Sequence, residues 1–86
     1  MSMYHVHHRE MYPDGNALDE GWMVDMSGST LDQAASYMRN AYINCGGSTI
    51  MSDADLALAT MARGHYCLIH DNGSSKNEWI IIPDSI

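Results

Sequence analysis

The sequence predicts an α+β fold in the order ββααββ, a mainly antiparallel sheet with two helices packed on one face. Three observations predict it. Two β-rich runs separated by turn residues lie toward each end of the chain, and two capped amphipathic stretches follow one another in the middle. The third is size: 86 residues bury only about 60% of the surface the unfolded chain exposes, which leaves room for one core and no second domain.

Met3 to Arg9 carries Tyr and Val and runs into Pro13-Asp14-Gly15-Asn16, a turn cluster, so it reads as the first strand. Gly21 to Met26 reads as the second, with Trp22, Val24 and Met26 on the core face, Met23 and Asp25 on the other, and a break at Ser27-Gly28-Ser29. A long acidic connection bearing Asp14, Asp19 and Glu20 joins the two strands.

Thr30-Leu31-Asp32-Gln33 is a capping-box pattern: the Thr30 hydroxyl can accept from the Gln33 amide while the Gln33 side chain reaches back. The helix it opens draws one apolar stripe through Leu31, Ala34, Ala35, Met38, Ala41, Tyr42 and Cys45, and Gly46-Gly47 terminates it. Ser52-Asp53-Ala54-Asp55 opens a shorter helix, its acids favoured by the dipole of the first turn. Ala54, Ala57, Leu58 and Met61 form its stripe, and Arg63-Gly64 ends it. Tyr66 to His70 and Glu78 to Pro83 are β-propensity runs around a polar loop, which makes a C-terminal hairpin. The core is expected to set Leu31, Ala35, Met38 and Tyr42 against Trp22, Val24, Leu68 and Ile80, with Tyr4 also inside.

Eight Met and no Phe indicate an adaptable core. Eleven acids against four bases give a net charge of −7, and the bases Arg9, Arg39, Arg63 and Lys76 are scattered. A phosphate backbone needs clustered cations, so the composition speaks against direct nucleic-acid binding and for a partner with a basic surface. Cys45 and Cys67 form no CxxC unit and read as reduced and buried. The longest apolar run, Trp79 to Ile82, is too short to cross a bilayer, and no basic region with an apolar stretch opens the chain, so a cytoplasmic protein with no membrane contact is expected. Either hairpin offers an edge strand to a symmetry mate, which leaves a homodimer open.

Four constellations invite chemistry. His5 and His7, two apart on a strand, project to one side and offer two nitrogens to a metal, but spacing fixes no third ligand, so no metal site and no cofactor are expected. Cys67 lies near His65 and His70, yet an apolar strand buries such a thiol as a small hydrophobe. Gly46-Gly47-Ser48-Thr49 and Gly28-Ser29-Thr30 lack the Lys of a phosphate loop and serve as helix caps. No catalytic residue is assigned, and an enzyme is not expected. The acids remain: Asp14, Asp19, Glu20 and Asp25 around the first hairpin, and Asp53 and Asp55 at a helix start, with Tyr12 as an aromatic anchor beside the hairpin patch.

In its N-terminal strands followed by the capped helix Thr30 to Asn44, its small size and its acidity, the chain resembles the small phage-encoded proteins that disable host machinery, anti-CRISPR proteins among them. The resemblance implies a stoichiometric inhibitor that occupies a basic, nucleic-acid-binding surface of a host complex. It transfers no individual residue. The alternative is a metal- or small-molecule-binding accessory domain using His5 and His7.

Overall fold

A computed structural model describes residues 3–12, 14, 21–48 and 51–84. The elements are β1 (Tyr4–Met11), β2 (Met23–Ser29), α1 (Leu31–Asn44), α2 (Asp53–Arg63), β3 (Tyr66–Asp71) and β4 (Lys76–Pro83). The sheet has the order β2-β1-β4-β3 with every pair antiparallel, and both helices pack on it, in the arrangement the sequence predicts.

The helix boundaries follow from local chemistry. Gln33 N donates to Thr30 Oγ1 and Thr30 N to Gln33 Oε1, each at 3.2 Å, which completes the capping box. Ala34, Ala35 and Met38 are buried beneath it, with Leu31, Ala41 and Tyr42 packed alongside. Cys45 departs from the expected stripe: it caps the helix and is exposed. In α2, Asp55 N donates to Ser52 Oγ at 3.1 Å, and Gly64 closes the helix at φ 86°, a left-handed position that only glycine takes without cost.

The buried face of α2 keeps only Ala57 of the predicted stripe, Ala54, Leu58 and Met61 lying outside it. Leu56, Ala57 and Thr60 point inward, and Leu58 and Met61 are 63% and 64% exposed. The segment is apolar nearly all round, so period alone does not choose a face. Thr60 can be buried because its hydroxyl donates to the Leu56 carbonyl at 2.8 Å.

β2 corrects a second expectation. It does not stop at Met26 but continues to Ser29, with two register shifts against β1. Tyr4 faces Ser29, Val6 faces Met26 and His7 faces Val24, so β2 carries an extra residue around Gly28 and another at Asp25. Gly28 sits at φ 65°, which suits the first bulge. The second bulge breaks the alternation: Met26 stays on the helix side with Val6, while Val24 pairs with His7 on the opposite face and is 61% exposed. Trp22 is likewise exposed rather than core. In β4, Trp79 and Ile81 fill the core with Val6, and Ile80 lies on the other face, pairing His7 and Cys67. Tyr4 and Leu68 do pack against the core, as expected.

Candidate functional site

The bulge at Asp25 has a chemical effect, because it turns that carboxylate toward the helices. Tyr37 of α1 donates its hydroxyl to Asp25 Oδ2 at 3.0 Å. His8 Nδ1 stands 3.6 Å from the same oxygen, and His8 Nε2 lies 2.9 Å from Asn77 Oδ1. The His8 ring stacks on Trp79 with centroids 4.8 Å apart, and Tyr42 meets Trp79 edge-on. Burial, then the bond to Asp25 and its charge, holds the Tyr37 hydroxyl above its ordinary value of 10.0, so it remains a donor in neutral solution.

Beside this network lies an open groove of about 570 Å³ lined by Met26, Asp32, Gln33, Ser36, Tyr37 and Asn40. Its walls are rich in oxygen acceptors, with one exposed carboxylate, over a thioether and the Tyr37 ring. Such a surface suits a side chain that brings N–H donors, positive charge and an apolar stem. In the sequence Asp32 and Gln33 mark the helix start, and the groove's one local signal is the four-residue spacing of Asp32, Ser36 and Asn40, which makes a polar ridge of α1.

On the helix-free face of the sheet, His5 and His7 do share a side, stacked with centroids 4.5 Å apart. His5 Nδ1 is hydrogen-bonded to Asp84. Burial first, and then His5, push His7 below its ordinary value of 6.5, against the pull of Asp25. Among the described residues no group of three or more His, Cys, Asp or Glu is placed to hold a metal ion. Burial and Glu78 push the Cys67 thiol upward, partly offset by Arg9, which disfavours the thiolate that nucleophilic work requires.

The three arginines are drawn into internal partnerships. Arg9 meets Glu78 at 2.8 Å and lies 4.4 Å from the Trp22 ring centroid. Arg39 donates to the Met51 carbonyl at 2.6 Å and faces Asp53 Oδ1 at 3.5 Å. The Arg63 guanidinium covers the Tyr66 ring at 5.4 Å, and Lys76 stands opposite Asp71 in the β3–β4 ladder. Of the acids singled out from sequence, Asp14 and Asp55 are exposed and Tyr12 is 50% exposed. Asp25 is withdrawn into the Tyr37–His8 network, and Asp53 is partly neutralised by Arg39. Asp19 and Glu20 lie outside the described residues.

No protein-family model, no curated protein and no solved structure matches this chain. No helix among the described residues is long and apolar enough to cross a membrane.

Proposed function

We propose that the chain is a protein-binding module that acts by occupancy, covering a basic, nucleic-acid-binding surface of a macromolecular partner as a stoichiometric inhibitor, in the manner of the anti-CRISPR proteins it resembles. The observation that carries this reading is the internal use of cations. Arg9, Arg39 and Arg63 each stand beside an acid or a ring of the same chain, while Asp32 and Asp55 lie on the surface of a molecule of net charge −7. The outward field is therefore negative, and the open Asp32 groove offers a place for a partner's arginine or lysine. A reducing compartment such as the cytoplasm belongs to the same proposal, supported by two unpaired thiols, one of them exposed.

The test is capture from a lysate on immobilised protein, with elution by duplex DNA. The expected result is a captured protein with a domain of pI above about 9, displaced by DNA. It should be lost when Asp32 and Asp55 are replaced by Lys in a variant whose circular dichroism is unchanged. A captured protein that DNA does not displace and the variant still binds would contradict the proposal.

A further inference from the structure

We infer that this chain forms a homodimer through β3, by antiparallel pairing of that edge strand with its copy about a two-fold axis at Leu68. The two edges of the sheet differ. β2 is broken by two bulges, the usual protection of an open edge, whereas β3 runs in unbroken register with β4 from Tyr66 to Asp71 and contains no Lys, Arg or Pro. Its outer edge therefore presents a regular row of backbone donors and acceptors.

Side-chain chemistry selects the register. A two-fold perpendicular to the sheet pairs residues on the same face, so the sum of paired numbers is even. Centred on Leu68, the pairing sets Cys67 opposite Ile69 on the helix-free face, where Ile69 is 51% exposed. On the helix face it sets Tyr66 opposite His70. At each end it brings the His65 imidazole beside the Asp71 carboxylate, whose Oδ1 accepts from the Gly73 amide of its own chain at 2.9 Å. Centring on Ile69 would instead press Asp71 against Cys67, a poorer match.

A second observation points the same way. α2 packs over β3, so the same axis places the two α2 helices side by side in one layer, and α2 carries the exposed pair Leu58 and Met61. An uncovered apolar stripe on the helix beside an unprotected edge fits a second copy better than it fits solvent.

The experiment is sedimentation across a concentration series, with Ile69→Lys and the double variant Leu58→Glu with Met61→Glu beside the native chain. The native protein is expected to show a monomer–dimer equilibrium, with the dissociation constant raised at least about tenfold in each variant. Because like net charges oppose self-association, added salt should tighten the dimer, the reverse of its effect on a basic partner. A second measurement reads the register. In a Cys45→Ser background, Ile69→Cys places its thiol opposite the partner's Cys67 at a cross-strand Cα separation of about 4.5–5.5 Å, within reach of a disulfide. Oxidation should give a covalent dimer that disappears on adding Cys67→Ser. A native chain that stays monomeric throughout the series, a dimer indifferent to both variants, or a cross-link that survives loss of Cys67 would overturn the inference.

Discussion

Cys45 and Cys67 show how far residue identity falls short of environment. Both read as buried thiols in the sequence, because each falls on an apolar pattern. The cap geometry of α1 leaves Cys45 exposed, and burial beside Glu78 keeps Cys67 protonated. A thiol reagent at pH 8 is therefore expected to modify Cys45 rapidly and Cys67 slowly, the second site becoming fast only in denaturant. Peptide mapping after a short exposure distinguishes them, and equal labelling would contradict the geometry. His7 gives a signed pH dependence. Its value is lowered from 6.5 in the folded chain, chiefly by burial and by His5, so the unfolded chain binds the proton first. That contribution leaves stability intact above the unfolded value and erodes it as the pH falls below. In urea melts at pH 8 and pH 5, His7→Asn should lose less stability on acidification than the native chain. An identical loss in both would show that His7 is not a contributor.

Elements were legible where the information is local and obscure where packing decides. Thr30, Gln33, Ser52 and Gly64 announced both helices because caps act within one turn, and the structure keeps them all. The face of β2 was hidden because a bulge is a choice made against a neighbouring strand: one extra residue at Asp25 puts Trp22 and Val24 outside and delivers Asp25 to Tyr37. In α2 the apolar residues surround the helix, so Leu56 and Thr60 could be preferred over Leu58 and Met61 only by tertiary contact. The consequence is measurable by comparing two methionines. Met38 is fully buried, and Met38→Ala is expected to cost roughly 2–5 kcal/mol, whereas Met61→Ala, measured on the monomer, should stay within about 0.5 kcal/mol. Equal costs would mean that the helix faces are misassigned.

At the scale of the whole molecule, the sequence revealed the charge but not its disposition. Counting gives −7, yet only the fold shows that Arg9 is spent on Glu78 and Trp22, Arg39 on Asp53 and Met51, and Arg63 on Tyr66. It also brings Asp32, Ser36, Tyr37 and Asn40 from α1 to Met26 of β2 in one groove, which no short motif encodes. A molecule built this way should be steered to a basic surface by long-range attraction and retained by close contacts. The measurement that tests this most directly is the association rate with the captured partner, followed by surface plasmon resonance over a salt series. Exposed charges are screened over about 8 Å at physiological ionic strength, so the association rate should fall steeply as salt rises while the dissociation rate changes little. Replacing Asp32 and Asp55 by Lys should flatten that dependence. An association rate indifferent to salt, and unchanged in the charge-reversed variant, would contradict recognition through the acidic surface.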